Sequence, residues 1–168
     1  MKDLERNPFW SLLPRNVVLG ATTFGPIGHL KAPGTWGSLL GIVLFAVLFN
    51  SLGPVSYLLL NLFLILLAVP LCGEAEIRLG RRDPGCVILD EFVAIPVCFF
   101  AIPLQPGEPA WGWILAGFVL FRFFDILKPL GIKSLQKLNG GWGVVVDDIA
   151  AAMATNIVLQ ISFYFINW

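Results

Sequence analysis

From Val55 to Cys72 the chain runs VSYLLLNLFLILLAVPLC, without one charged side chain. A helix over that stretch rises about 27 Å, close to the roughly 30 Å hydrocarbon core of a bilayer. Backbone N–H and C=O groups in hydrocarbon must bond within their own segment, so the stretch is predicted to be a membrane helix. Four more apolar stretches flank it: Leu39 to Phe49, Phe92 to Leu104, Ala110 to Leu127 and Gly143 to Ile166. Composition agrees, with 57% of the 168 residues hydrophobic, 13% charged and a mean hydropathy of +0.82, far more apolar than a soluble domain. The expected fold is all-α: a polytopic membrane helical bundle of about five spans plus an N-terminal interfacial or re-entrant segment, a single domain over residues 1–168.

The cations sort the links between these stretches. Asn50 to Pro54 carries no charge and Gln105 to Pro109 only Glu108, whereas Gly73 to Glu91 holds Arg78, Arg81 and Arg82, and Lys128, Lys133 and Lys137 follow Leu127. The positive-inside rule then places the N-terminus and both basic links in the cytoplasm and the C-terminus outside. Val17 to Lys31, rich in glycine, reads as the interfacial or re-entrant loop, and the run Ala32 to Ser38 as turn formers that cannot continue a helix. Trp10, Trp111, Trp113 and Trp168 fit an aromatic belt at the span ends. The first 20 residues lack the apolar core of a cleavable signal, so the first membrane helix is expected to direct insertion.

Several partners are excluded. A formal net charge of zero leaves no basic footprint for nucleic acid, and no obligate protein partner is evident. Cys72, Cys86 and Cys98 form no CxxC pair, which argues against a disulfide framework or zinc. Cys72 to Arg78 matches the C-x5-R spacing of cysteine phosphatases, but Glu74 and Glu76 inside that loop would repel a phosphate dianion, so the match is set aside. One histidine, His29, is too few for histidine-based lipid phosphatases; it reads as a satisfied interfacial residue. Glu74 and Glu76 read as a solvated turn.

The acids carry the chemistry. On the five-span topology Asp90 and Glu91 open the third span, Asp125 lies near the cytoplasmic end of the fourth, and Asp147 and Asp148 begin the fifth. Five carboxylates thus share the depth at which a phospholipid presents its phosphate, with Asp83 nearby. Acids at helix N-termini are often simple caps, but Asp125 sits toward a helix C-terminus, where the dipole disfavours it; its plain alternative is an ion pair with Arg122 or Lys128. Converging ionisable groups beside membrane segments mark a polar cavity or an ion. Hard oxygen donors suit magnesium, manganese or calcium, and magnesium is the expected ion because it binds a few carboxylates plus substrate phosphate. Arg122, Asp125 and Lys128 recur every three residues, on one helix face that could grip a phosphoryl group. The glycine-rich runs Gly34-Thr35-Trp36-Gly37-Ser38 and Gly140-Gly141-Trp142-Gly143 could cradle phosphate through backbone N–H groups and the hydroxyls of Thr35 and Ser38, or serve only close helix packing.

Four separated motifs, Pro33 to Leu39, Asp83-Pro84 with Leu89 to Phe92, Phe121-Arg122 with Asp125 and Lys128-Pro129, and Gly140 to Gly143 with Asp147-Asp148, together resemble the phosphatidylglycerophosphatase A family. The likeness covers roughly Gly20 to Met153; the lead at His29 to Ala32 and Ala94 depart from the family pattern. The resemblance implies a magnesium-dependent enzyme of a bacterial-type inner membrane, multi-pass, with its active site at the cytoplasmic face. It would hydrolyse the terminal phosphate of a phospholipid substrate, phosphatidylglycerophosphate, and it gives functional roles to Asp83, Asp90, Glu91, Asp125, Lys128, Asp147 and Asp148.

The resulting expectation assigns metal binding to Asp90, Glu91, Asp147, Asp148 and Asp83, and phosphate binding to Thr35, Ser38, Gly141, Arg122 and Lys128. Asp125, Asp90, Arg122 and Lys128 are the catalytic group, with water or Asp125 as the attacking nucleophile. Two alternatives use other chemistry. A cation- or proton-coupled transporter could use the same acids, but its site belongs near the midplane between related halves. A CDP-alcohol phosphotransferase would need a D-x2-D-G-x2-A-R signature, which is absent.

Overall fold

The computed structural model describes residues 8–102, 110–129 and 131–166. The described residues form helices without strands: α1 (Pro8–Ser11), α2 (Arg15–Thr23), a 3-10 turn (Ile27–His29), α3 (Pro33–Leu44) prolonged by a π-helical turn (Phe45–Phe49), α4 (Pro54–Leu79), α5 (Leu89–Phe99), α6 (Ala110–Leu127), α7 (Ile132–Leu135) and α8 (Gly141–Ile166). The expected link from Gln105 to Pro109 and the terminal Asn167 and Trp168 lie outside the described residues.

α8 is the central post, packed by α4, α5 and α6, with α3 against the far side of α5. One apolar core joins Phe45, Phe49, Ile95, Phe99, Phe121 and Leu159, and a second, nearer the acids, joins Val18, Ala68, Val69, Cys72, Val93 and Val145. The outside is apolar too: Leu58, Leu59, Leu62, Phe63 and Leu66 on α4 and Leu115, Val119, Phe123 and Ile126 on α6 are exposed. In water so large a patch would drive association.

α4 and α8, 26 residues each, are the two helices among the described residues long and apolar enough to cross a membrane. The expectation of about five spans is therefore met only in part. α6 coincides with the fourth apolar stretch, but α5 stops after 11 residues, about 16 Å of rise. Phe100 leaves the helix, Ala101 takes a positive φ of 59°, and Asn156 of α8 satisfies the helix end by donating from Nδ2 to the carbonyls of Cys98 (2.9 Å) and Phe100 (2.8 Å).

Four local expectations are corrected. The run from Pro33 to Ser38 is the start of α3 rather than a turn: Pro33 occupies the first helical turn, where its missing N–H costs nothing. Gly34, Gly37 and Gly41 then form one face of that helix; a methyl group on Gly37 would lie 2.9 Å from the Ile88 carbonyl oxygen, and one on Gly41 2.7 Å from Ile95 Cβ. Gly141 likewise opens α8, its missing side chain letting the backbone approach Val69 and Gly73 of α4. Glu74 and Glu76 are not a solvated turn but lie buried in α4, which continues to Leu79; Glu74 pairs with Arg78 at 2.7 Å. Finally, Val17 to Lys31 folds mostly as α2 and the 3-10 turn, with Val18 and Thr22 fully buried.

Candidate active site

Three elements deliver the acids. Asp90 and Glu91 lie in the first turn of α5, whose N-cap residue, Ile88, supplies no side-chain hydrogen bond. Asp147 and Asp148 lie almost two turns inside α8 and are 1% and 3% exposed. The C-terminal end of α6 supplies Arg122 and Asp125, and Lys128, at a φ of 45°, turns the chain out of that helix. α3 closes the side: a methyl group on Gly34 would collide with the Glu91 carboxylate and lie 2.9 Å from Arg122 Nη1.

Asp90, Glu91 and Asp148 each offer an oxygen, and the three lie within 4.8 Å of one another. Arg122 Nη1 is 2.7 Å from Asp125 Oδ2 and 3.9 Å from Glu91 Oε1. Lys128 Nζ donates to Asp147 Oδ2 and lies 3.6 Å from Asp125 Oδ1 and 3.8 Å from Asp148 Oδ1. A single network thus runs from Arg122 through Asp125 and Lys128 to the acids of α8, with those of α5 facing them. Burial pulls the Lys128 pKa down, but the Asp148, Asp147 and Asp125 carboxylates outweigh it and hold the ammonium above the ordinary lysine range.

The donor set fits a divalent cation. Five carboxylates face two cationic side chains, and Asp90 Oδ1, Glu91 Oε2 and Asp147 Oδ1 are buried with no hydrogen-bond partner. Buried anionic oxygens without donors are strongly unfavourable; a hard cation with oxygen preference would satisfy them.

The other anticipated residues stand around this centre. Asp83 is exposed and outside the trio; its N–H donates to Glu76 Oε1 at 2.8 Å and its Oδ2 accepts from Gln136 Nε2 at 3.0 Å. Thr35 lies half-buried in the first turn of α3. Ser38 donates its hydroxyl proton to the Gly34 carbonyl at 2.8 Å, and the Gly141 backbone is packed on α4. His29 is exposed on the 3-10 turn. Sequence reasoning did not assign Gly34 to the wall of the acid site or Glu76 to the anchoring of Asp83. The 34, 37, 41 spacing of glycines was a readable signal of a helix face.

Comparison with known proteins shows the family of the chain. A family model described as PgpA: Phosphatidylglycerophosphatase A matches residues 20–163. The phosphatidylglycerophosphatase A of Haemophilus influenzae is 40% identical over 157 residues, covering 92% of this chain and 94% of that protein. That of Escherichia coli is 35% identical over 162 residues, covering 96% and 84%. A Bacteroides thetaiotaomicron protein with the provisional name phosphatidylinositol-3-phosphatase is 33% identical over 162 residues, covering 94% and 98%. No solved structure matches the chain.

Proposed function

The chain belongs to the phosphatidylglycerophosphatase A family and is a phosphoric monoester hydrolase acting on a lipid, and from that premise we propose a magnesium-dependent removal of the terminal phosphate of phosphatidylglycerophosphate. The products are phosphatidylglycerol and inorganic phosphate. The observation that supports this reading is the convergence of Asp90, Glu91 and Asp148 oxygens within 4.8 Å, with unpartnered buried oxygens beside Arg122 and Lys128.

Asp90, Glu91 and Asp148 would hold the ion, with Asp147 and Asp83 as outer ligands. Bound there, magnesium supplies charge neutralisation to the phosphoryl oxygens as the ester bond breaks. Arg122 and Lys128 donate to the same oxygens and hold phosphorus in line. Thr35, at the edge of the site, adds a hydroxyl donor; Ser38 and Gly141 serve first the helix contacts that bring it there. Asp125, between the two cations, either takes the proton of an attacking water or attacks phosphorus itself; the lipid oxygen leaves with a proton from solvent water as the alcohol, and in the second case water then cleaves the aspartyl phosphate.

The proposed topology keeps five crossings, α3 with its π turn, α4, α5 with the residues after it, α6 and α8, in an inner membrane with the acids at the cytoplasmic face. The exposed stripe Leu115, Val119, Phe123 and Ile126 on α6 supports a lipid-facing helix. The direct test is release of inorganic phosphate from phosphatidylglycerophosphate by purified protein with and without magnesium. Absence of release in saturating magnesium overturns the proposal.

A further inference from the structure

Between α4, α5 and α8 lies a pocket of about 530 Å3, a volume typical of small-molecule sites, open to the outside along the exposed Leu58, Leu62, Met153 and Ile157. Apart from Tyr57 and two asparagines its lining is apolar. Asn156 already donates to the Cys98 and Phe100 carbonyls. Asn61 differs: it is 6% exposed, it lines the cavity, and its Nδ2 has no hydrogen-bond partner. A buried amide donor left unmatched is costly, the more so where no water can reach it. An acceptor that arrives with an otherwise apolar ligand removes that cost.

The cavity and the acids share α8. Ile149 lines the cavity's near end and is the residue after Asp148. From Ile149 to Asn156, which shares the lining with Asn61, α8 rises about 10 Å. In a phospholipid whose glycerol headgroup ends in a phosphomonoester, about eleven bonds, roughly 14 Å when extended, separate the terminal phosphorus from the nearer acyl-ester carbonyl. A phosphate held at Asp90 and Asp148 can therefore place that carbonyl at the level of Asn61.

We propose that this cavity is the acyl-ester subsite for the lipid substrate: Asn61 Nδ2 donates to an ester carbonyl oxygen, and the acyl chain lies along Leu62, Met153 and Ile157. The inference rests on the lipid phosphatase reading above and deepens it by naming what selects a glycerol ester.

The test compares two lipids with the same phosphomonoester headgroup, one diacyl and one dialkyl ether, in the same detergent micelles with full-length protein and magnesium. The ether lacks the acceptor that Asn61 would meet. Wild-type protein is expected to show a KM roughly tenfold lower for the diacyl lipid. Asn61→Leu is expected to erase that difference by raising KM for the diacyl lipid alone, with kcat unchanged. Met153→Trp, which fills the cavity, is expected to raise KM for both. Asn61→Leu removes an unmatched donor from apolar surroundings, so its thermal midpoint should not fall. The proposal is overturned if Asn61→Leu shifts both lipids alike, as a structural or self-association role would, if it shifts neither, or if Met153→Trp leaves both unchanged. Failure of wild-type protein to release phosphate from either lipid would instead overturn the function on which this subsite rests.

Discussion

Arg122 and Asp125 are joined at 2.7 Å, about one helical turn apart near the C-terminal end of α6, and Asp125 is 8% exposed. The guanidinium also faces Glu91 at 3.9 Å, so the pair is part of the acid site and not a surface ion pair. Asp125→Asn should lower phosphate release by at least about a hundredfold, with helicity and thermal midpoint retained. Activity within twofold of wild type would remove Asp125 from the chemistry and leave it as the holder of Arg122.

Asp90 and Asp148 bring two buried carboxyl groups close together, an arrangement that disfavours ionising both, so an ion should stabilise the folded chain as well as activate it. Adding magnesium at about a hundred times its Kd should stabilise wild-type protein by about 2.7 kcal/mol, read as a rise in thermal midpoint. Asp90→Asn and Asp148→Asn each remove one repulsive charge. They should be as stable as wild type, or more so, in chelator, and gain much less from magnesium. An equal magnesium-induced rise in wild type and both variants would place the ion elsewhere.

Gly34 leaves room for the Glu91 carboxylate and the Arg122 guanidinium, whereas a methyl group on Gly112 of α6 would meet nothing within 4 Å. Gly34→Ala should cut activity by more than about tenfold by displacing Glu91. Gly112→Ala should leave activity intact and add up to about 1 kcal/mol of stability, because alanine restricts the unfolded chain. Equal activities in the two variants would show that α3 does not shape the site.

Arg78 holds Glu74 at 2.7 Å and donates through Nη2 to the Leu13 carbonyl at 2.8 Å, tying the residues after α1 to α4. Breaking a buried ion pair by removing one partner costs about 3–5 kcal/mol. Arg78→Ala should therefore lower the thermal midpoint in detergent by many degrees while activity per folded molecule stays near wild type. A midpoint within a degree or two of wild type would show the pair to be energetically neutral.

Much of this was legible in the chain because charge in apolar sequence is conspicuous. Asp90, Glu91, Asp125, Asp147 and Asp148 stand out against stretches that otherwise exclude acids, and the three-residue spacing of Arg122, Asp125 and Lys128 predicted the contacts that join them. The glycines misled because Pro33-Gly34 punctuates turns as readily as it opens helices, and only tertiary packing distinguishes the two. Glu74 and Glu76 misled because a carboxylate is read as solvent-facing until its partner is known; the four-residue spacing to Arg78 held that partner in view. The stretch Phe92 to Leu104, with Pro96 and Pro103, is visibly short for a crossing, but the point at which α5 ends depends on an amide from α8, far along the chain.

That amide makes α8 a ruler for α5. Asp148 faces the acids at one end of the short helix and Asn156 binds the carbonyls at the other, so the seven residues between them set α5 in register from both ends. Deleting or inserting one residue in that interval would shift one anchor by about 1.5 Å and turn it by about 100° around the helix, and no sliding of α5 could restore both. The interval should tolerate exchanges of side chain and refuse changes of length.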